Sequence, residues 1–156
     1  MTQELMDAPV LRSEVPSGVL AFCVGREEYA IDILKVREIR GYDRPTRIAQ
    51  ADPSLCGVMN LRGIVVPIVD LRRLMGSDDV RYDASTVTIV LALGQRIVGV
   101  VVDAVADVLD IDPAQLREAP PMSSSTLAGH LLGIASLGDR MLMVLDIEGY
   151  MAGLRI

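Results

Sequence analysis

The sequence is short of aromatic residues and of positive charge. It contains no tryptophan and one phenylalanine, and aromatic residues make up 3% of its 156 positions. Because single-stranded nucleic acids bind largely by stacking on aromatic rings, this shortage disfavours such partners. The 15 lysines and arginines are outnumbered by 21 aspartates and glutamates, which gives a formal net charge of −6. A field of that sign repels phosphate groups, and we therefore expect no nucleic acid partner.

Cysteine and histidine, which supply most metal sites and many nucleophiles, are rare. His130 has no second histidine or cysteine at ligand spacing, so we expect a surface or loop residue rather than a metal ligand. Cys23 and Cys56 lie in or beside apolar runs, which favours two buried free thiols, since a disulfide would require an oxidising compartment. The serines at 123–125 lack the marks of an activated nucleophile. The sequence thus predicts no catalytic residue, no metal site and no cofactor.

Long apolar runs are also missing. No run approaches the roughly 20 residues that a membrane span requires, and residues 1–16 lack the basic start and apolar centre of a signal peptide. We therefore expect a cytoplasmic protein without direct membrane insertion. Residues 1–16 are predicted to be a flexible lead-in and residues 17–156 a single domain, because 51% of the chain is apolar and can build a core.

What the sequence has in abundance is short runs of valine, isoleucine and leucine, which favour strands. The clearest stretch runs from Gly57 to Asp70, where two apolar runs meet at Arg62-Gly63. Gly63 can take a positive φ, so the chain can turn sharply there. Arg62 either ties this corner by bonding backbone carbonyls or reaches a partner, and both interpretations stay open. Asp70 is placed to cap a short helix over 71–75.

Similar patterns predict three further hairpins, a capped turn and a terminal helical turn. The segment 33–39 is ambiguous and favours one turn followed by an extended piece, and 103–109 is also ambiguous. Asp112-Pro113-Ala114-Gln115 has the form of a capping box. The predicted hairpins and the terminal turn cover 19–24 with 28–32, 86–93 with 96–102, 131–137 with 141–145, and 146–151.

An internal repeat decides the architecture. Gly25 and Gly94 are 69 positions apart, and at this offset apolar and acidic residues match, including Glu38 with Asp107. Gly57 and Gly133 are 76 apart, and this second offset matches Asp70 with Asp146 in the other half. Two copies of one small all-β unit are the economical explanation. Units of about five short strands bury too little apolar surface alone, so we expect them to share a core and leave a groove where they meet.

Several aspartates could in principle pair as acid and base. Asp70 and Asp146 occupy equivalent cap positions in the two copies, so capping explains them more simply. The other candidates for such a pair are Asp103, Asp107 and Asp110.

Other residues are candidates for recognition. Each copy carries a carboxylate flanked by apolar residues, and this pattern suits docking of an amphipathic helix. The alternative is that the valines belong to the core and the acidic side chains simply face solvent. Arg117 is either an interface charge or an inert surface residue. The two flanked carboxylates lie in Val36, Glu38 and Ile39 and in Val105, Asp107 and Val108.

Three segments together resemble one known family. Residues 28–42, 57–71 and 93–103 are similar to the bacterial chemotaxis coupling proteins of the CheW family, and the similarity continues through residues 137–142. It covers nearly the whole chain beyond the first fifteen or so residues. The most specific motif is Asn60-Leu61-Arg62-Gly63 followed by Val66-Pro67-Ile68-Val69-Asp70-Leu71-Arg72.

The resemblance implies an all-β fold of two SH3-like five-stranded β-barrel lobes that share a hydrophobic core, with short helical turns. It also implies a non-catalytic adaptor, monomeric when isolated, that links methyl-accepting chemoreceptors to the histidine kinase CheA through the kinase's CheW-like regulatory domain. Such an adaptor would lie at the inner face of the membrane, within receptor arrays. Similar couplers serve non-flagellar arrays that control pili or surface behaviour, and the sequence leaves this alternative open.

The resemblance also suggests site residues. Arg117 is expected to contact the kinase. The family can show an acidic-aromatic pair after it, where this chain has Pro121-Met122, and this departure weakens the assignment. The residues expected to contact the receptor are Val36, Glu38, Gly57, Arg62 and Val108.

Overall fold

The computed structural model describes residues 15–49, 55–118 and 128–154, and strands dominate these ranges. The strands are β1 (Gly18–Val24), β2 (Glu27–Asp32), β3 (Val36–Gly41), β4 (Leu55–Leu61), β5 (Ile64–Asp70), β6 (Val87–Leu93), β7 (Arg96–Val102), β8 (Ala104–Asp110), β9 (Leu116–Arg117), β10 (Leu131–Leu137) and β11 (Arg140–Leu145). The helices are α1 (Leu71–Leu74) and α2 (Ile147–Ala152), and single 3-10 turns cover Ile33–Lys35, Pro113–Gln115 and Ala128–His130.

The predicted elements are confirmed wherever they fall in the described ranges. The ambiguous segment 33–39 is one 3-10 turn followed by β3, and 103–109 lies almost entirely in β8. The capping box forms, since the Asp112 side chain accepts from the Ala114 N–H and the Gln115 side chain accepts from the Asp112 N–H. The lead-in before residue 15 and the segment with Pro121-Met122 and the serine cluster lie outside the described residues.

The strands form two sheets, in the orders β8-β1-β2-β11-β10-β9 and β3-β6-β7-β5-β4. Neighbours are antiparallel except for β2 with β11 and β5 with β7, which run parallel. Each sheet therefore contains strands from both halves of the chain. The two copies of the repeat do not form one lobe each; they exchange strands, and this interleaving binds the halves together.

The pairing registers reproduce both sequence offsets. Ala30 pairs with Val144, and Ile68 pairs with Gly99. The offsets of 69 and 76 map the first pair onto the second. The bulges match as well, because the register shifts between Ala21 and Phe22 where β1 meets β8 and at the equivalent place where β3 meets β6.

Each sheet curls until the segment after the third strand of one repeat copy, β3 or β8, reaches the opposite edge of the sheet. Beyond β3, Thr46 forms an isolated bridge with Val58 of β4. Beyond β8, Arg117 of β9 pairs with Ile134 of β10. Val58 and Ile134 are matched at the offset of 76, so the two closures are equivalent. One sheet has six strands rather than the expected five because β9 is a short strand where its counterpart is a single bridging residue.

The main hydrophobic core lies between the two sheets and is built from both. Its fully buried members include Leu20, Phe22 and Ile31 of one sheet and Ile89 and Leu91 of the other. A smaller cluster fills each lobe, one around Ala21 and Val144 and the other around Val90 and Ile68. The prediction of an all-β fold with two lobes that share a core is confirmed.

The helices of the described ranges are short. None of them has both the length and the apolar character that crossing a bilayer would need.

Candidate functional site

The turn between β4 and β5 holds Arg62 on the surface. Arg62 has φ +52° and Gly63 has φ +86°, and positive φ at both central residues is typical of a two-residue type I′ hairpin. The Asn60 side chain accepts a hydrogen bond from the Gly63 N–H at 2.9 Å and fixes the turn. Within the described residues Arg62 is the one non-glycine with positive φ. The sharp turn expected at Gly63 is therefore present, and it includes Arg62 itself.

The carboxylate of Glu38 is held by two arginines. Arg62 Nη2 donates to Glu38 Oε2 at 2.7 Å, and Arg40 Nη1 donates to Glu38 Oε1 at 3.1 Å. These bonds, first from Arg62 and then from Arg40, hold the pKa of Glu38 below its ordinary value. Because β3 and β4 are the two edges of the five-stranded sheet, the Glu38–Arg62 contact spans the closure of that lobe. Within the described residues Arg62 bonds a carboxylate of its own lobe rather than a backbone carbonyl, and its contact with a partner stays a prediction.

A shallow pocket opens beside this ion pair, and we call it the Glu38 pocket. All of its lining residues belong to the five-stranded sheet and its β4–β5 turn, so it lies within one lobe and not in the groove expected where the two units meet. Its floor is apolar and its rim is charged. The lining consists of Arg37, Glu38, Leu61, Arg62, Ile64, Val66, Val90 and Ile97.

Gly57, another residue expected on the receptor side, is buried in β4. Its φ is +151°, and a Cβ added there would overlap the backbone carbonyl of Thr46. Thr46 and Val58 exchange two N–H···O bonds of 2.9 Å directly beside it. Gly57 is therefore required where the backbone closes the lobe.

The two valines expected on the receptor side lie apart from the Glu38 pocket lining. Val36 begins β3, is half-buried and packs against the core between the sheets. Val108 lies on β8 in the other sheet, where its side chain is 61% exposed. The structure thus brings Glu38 and Arg62 together, while Val36 and Gly57 both have packing contacts and their receptor contact stays a prediction. Val108 belongs to a second surface.

That second surface is organised by Arg140, at the start of β11. Arg140 donates to both carboxylate oxygens of Asp107 at 2.9 and 3.1 Å and to both of Glu28 at 2.8 and 3.2 Å. These bonds hold the pKa of Asp107 below its ordinary value. Val108 and Met141, both more than half exposed, follow these charged residues in β8 and β11.

Arg117, the residue expected on the kinase side, is exposed on β9 at an edge of the six-stranded sheet. The strand packs closely on Gly133 of β10, because a Cβ there would lie 2.8 Å from Leu116 Cδ1 and 2.9 Å from the Arg117 carbonyl oxygen. The backbone position of Arg117 is thus set by pairing with β10, while its side chain remains available to a partner.

Comparison with known proteins identifies the family. The CheW-like domain model matches residues 18–154. The chain belongs to the CheW-like domain family. The chemotaxis protein CheW of Klebsiella aerogenes is 53% identical over 129 residues, which cover 83% of this chain and 78% of that protein. Its namesake in Bacillus subtilis is 30% identical over 138 residues, covering 87% and 88%.

A solved structure supports the same assignment. The crystal structure of scaffolding protein TtCheW from Thermoanaerobacter tengcongensis superposes with a TM-score of 0.78 at 26% identity. The match covers 87% of this chain and 92% of that one. The resemblance stated from the sequence is therefore confirmed for the family and for the fold.

In this CheW-like domain, sequence reasoning missed a buried arginine. Arg72, 2% exposed, donates to Asp70 at 2.9 and 3.0 Å and to Asp103 at 3.1 Å. It also donates to the Arg81 carbonyl at 2.6 Å and lies 4.9 Å from the Tyr82 ring centre. Burial opposes the charged guanidinium, but the bonds to the two aspartates outweigh it and raise the pKa of Arg72. The sequence signal that could have predicted this ion pair is the position of Arg72, two residues after the capping Asp70.

The aspartates considered as acid–base candidates have structural partners in the described residues. Asp70 caps α1 and Asp146 caps α2, which confirms both predicted caps. Asp103 accepts from the Gly25 N–H at 2.7 Å as well as from Arg72. Asp107 is bound to Arg140, as described above. For Asp110 the structure gives a strand pairing with Gly18.

The cysteines and the histidine behave largely as the sequence indicates. Cys23 on β1 and Cys56 on β4 are free and half-buried, in different sheets. Burial is the main cause that raises the pKa of both thiols. His130 closes a 3-10 turn and lies against Tyr150, with 5.5 Å between the ring centres. Their surroundings are those of packing residues.

Proposed function

We propose that this protein is a non-catalytic adaptor that couples methyl-accepting chemoreceptors to the histidine kinase CheA. The observation that carries the proposal is the family match over residues 18–154, together with 53% identity to a protein named as chemotaxis protein CheW. Acting in this way, the protein would work in the cytoplasm, at receptor arrays on the inner face of the membrane. Isolated, it would be a monomer.

The Glu38 pocket is the receptor side in this proposal. An apolar floor of Leu61, Ile64 and Val66 beside the Glu38–Arg62 pair offers both buried area and charge to a helix that presents alternating apolar and polar residues. Ile64 is 46% exposed and Val65 65% exposed at the same hairpin, so apolar surface continues from the pocket to the outside of the lobe.

The kinase side is assigned to Arg117. It lies on the six-stranded sheet, whereas the Glu38 pocket lies on the five-stranded one. Placing the two contacts on different lobes would let one small protein bind both partners at once. Arginine is enriched at the energetically dominant positions of interfaces, and an exposed arginine on a fixed edge strand is suited to that role.

The test is kinase autophosphorylation, measured with purified CheA and receptor-containing membranes, with and without this protein. We expect strong activation that needs all three components. Arg117→Ala should reduce activation and also reduce direct binding to CheA, while binding to receptor is unchanged. Arg26→Ala, which removes another exposed arginine at the β1–β2 turn, is the matched control.

Two results would contradict the proposal. The first is no activation when the protein is folded, the kinase is competent and the array is cognate. The second is binding to neither partner alone. If activation is normal in Arg117→Ala, the coupling role stands but the kinase contact lies elsewhere.

A further inference from the structure

A cleft beside α2 is lined by residues to which the proposed coupling function assigns no role. It encloses about 560 Å³, and we call it the α2 cleft. The residues assigned above to receptor and kinase contact are not among the lining residues that the structure describes. Those that bear on its chemistry are Pro16, Asp32, Lys35, Leu132, Asp146 and Glu148.

The internal repeat shows what the fold holds at the equivalent place in the first half. The offset of 76 maps Asp146 onto Asp70 and Glu148 onto Arg72. The guanidinium of Arg72 donates to both oxygens of Asp70, at 2.9 and 3.0 Å. The segment after α1 returns over this pair, because Tyr82 donates to Asp70 at 3.2 Å and its ring centre lies 4.9 Å from Arg72 Cζ. In the first half a guanidinium and an aromatic ring therefore cover the capping aspartate.

The second half keeps the capping aspartate but has an acid in place of the arginine. Asp146 Oδ1 accepts from the N–H three residues later at 3.1 Å, and its other oxygen has no hydrogen bond within the described residues. Asp32 also caps a turn with one oxygen, which accepts from the N–H two residues later at 3.0 Å. Glu148 is bound at 2.6 Å to Lys35, the only basic residue among the described lining residues. The cleft thus holds three carboxylates against one ammonium.

Apolar surface lies next to these charges. Pro16 and Leu132 line the cleft, and Leu34, which follows Asp32 in the chain, is 86% exposed. A complementary ligand therefore has a cationic head and an apolar neighbour. Arginine suits the head better than lysine does, because its planar guanidinium bonds carboxylates through paired donors and is more weakly hydrated.

We propose that the α2 cleft binds an arginine side chain of a protein partner, whose guanidinium bonds Asp146 and has Asp32 as its second carboxylate. An apolar or aromatic side chain next to that arginine packs on the apolar wall, in the role that Tyr82 has over Arg72. Glu148 stays with Lys35. The partner thus supplies in the second half what the chain itself supplies in the first. This inference does not depend on the proposed coupling function.

The test is an NMR titration of the whole isotope-labelled protein with a blocked leucine–arginine–tyrosine peptide. We expect amide shifts confined to residues around 32–35 and 145–149, with a dissociation constant on the order of 1 mM, as suits a contact of a few side chains. The same peptide with citrulline in place of arginine keeps the shape but loses the charge. We expect it to bind at least about tenfold more weakly.

Variants of the protein separate the charge of the carboxylates from their capping role. Asp146→Asn and Asp32→Asn keep side chains that can cap, and we expect each to weaken binding of the arginine peptide about five- to tenfold. Asp112→Asn makes the same change at a capping aspartate outside the cleft and is the matched control, which should not alter binding. Glu148→Arg places in the cleft the residue type of its counterpart, and we expect it to block the peptide because the chain then brings its own guanidinium.

The comparison of the two peptides on the wild type decides the inference even if a variant folds poorly by circular dichroism. Equal binding of the arginine and citrulline peptides would overturn it, because the cleft would then recognise apolar groups alone. Shifts confined to another surface, or no binding at peptide concentrations up to about 10 mM, would overturn it too. So would unchanged affinity for the arginine peptide in a folded Asp146→Asn variant.

Discussion

The internal repeat creates two equivalent surfaces that differ in charge and in the state of their arginine. Glu38 on β3 and Asp107 on β8 are matched in sequence and in register, and each binds an arginine. Arg62 is 70% exposed and, among the described residues, bonds one carboxylate, whereas Arg140 is 33% exposed and bonds two. One surface gathers two arginines around one carboxylate, and the other gathers two carboxylates around one arginine. Matched strands therefore carry an open positive site and a closed negative one, and the arginine that binds the carboxylate comes from a different position in each half.

The helix that ends each half differs in the same way. Asp70 and Asp146 cap α1 and α2 at equivalent positions. Two positions after the cap, the first half has Arg72, which is buried and pairs with the capping Asp70. The second half has Glu148 there, which forms an exposed pair with Lys35 at 2.6 Å. A buried ion pair that loses one partner leaves an uncompensated charge, whereas an exposed pair returns its charges to water.

The largest effect is expected from breaking the buried pair. Arg72→Met keeps much of the volume but leaves Asp70, fully buried, without its cation. We expect a loss of about 3–5 kcal/mol in the free energy of unfolding, measured by urea denaturation. Glu148→Gln at the equivalent position should change it little. Similar losses in both variants would mean that burial does not distinguish the two helix ends.

The next effect compares the glycines at which the lobes close, Gly57 and Gly133. Gly57→Ala forces a Cβ into a backbone carbonyl at a φ that side chains rarely adopt, and we expect a loss of about 3 kcal/mol from strain and overlap together. Gly133→Ala meets the Leu116 side chain, which can shift, and the Arg117 carbonyl oxygen at 2.9 Å, a milder overlap than the one at Gly57, so we expect a smaller loss of about 2 kcal/mol. The same urea measurement ranks the two, and the reverse order would contradict the assignment of Gly57 to backbone closure.

How far the sequence could predict this structure depends on the range of the interaction. The hairpins and helix caps could be predicted because turn residues and alternating apolar residues are signals that lie within a few positions of each other. The two repeat offsets could be found by matching residues along the sequence. The parallel pairing of β2 with β11 and of β5 with β7 could not be predicted in this way. A fold with one lobe per repeat copy and a fold whose lobes exchange strands have the same order of elements along the chain. Only packing of the shared core chooses between them.

The site was predictable in part, for the same reason. Glu38 and Arg62 were both named, but their 2.7 Å contact depends on lobe closure between residues 24 positions apart. Gly57 was named as a contact, although its glycine is explained by the approach of Thr46. The burial of Arg72 could not be read from composition, because it requires two carboxylates and the 81–82 loop to meet around it.

A smaller effect tests the turns. Gly138→Ala places a side chain at φ +65° in open space, so it reports conformational strain alone, and we expect a loss of about 1 kcal/mol. Arg62→Gly removes a side chain from a positive φ at the position matched by the offset of 76, in a turn where Gly63 also has a positive φ, and we expect a gain of up to about 1 kcal/mol by thermal or urea unfolding. A clear loss of stability in Arg62→Gly would show that the arginine serves the fold after all. A gain with weakened receptor binding would separate function from stability at this residue.

The smallest effect is the response of the two surfaces to acid. The pKa values of Glu38 and Asp107 are both lowered by their arginines, so each pair stabilises the folded state above the ordinary carboxyl pKa and is lost as the pH falls through the lowered value. Thermal midpoints of the wild type, Glu38→Gln and Asp107→Asn would be followed from about pH 7 to about pH 3, across the carboxyl range. At neutral pH Glu38→Gln should be the less stable variant, because it removes the carboxylate that pairs with Arg40 and Arg62, whereas Asp107→Asn leaves Arg140 bound to Glu28. Both differences in thermal midpoint from the wild type should shrink as the carboxylates protonate.

A difference that stays constant into acid would mean that the charge of that carboxylate does not stabilise its surface. The contrast in charge between the two surfaces would then have no consequence for folding.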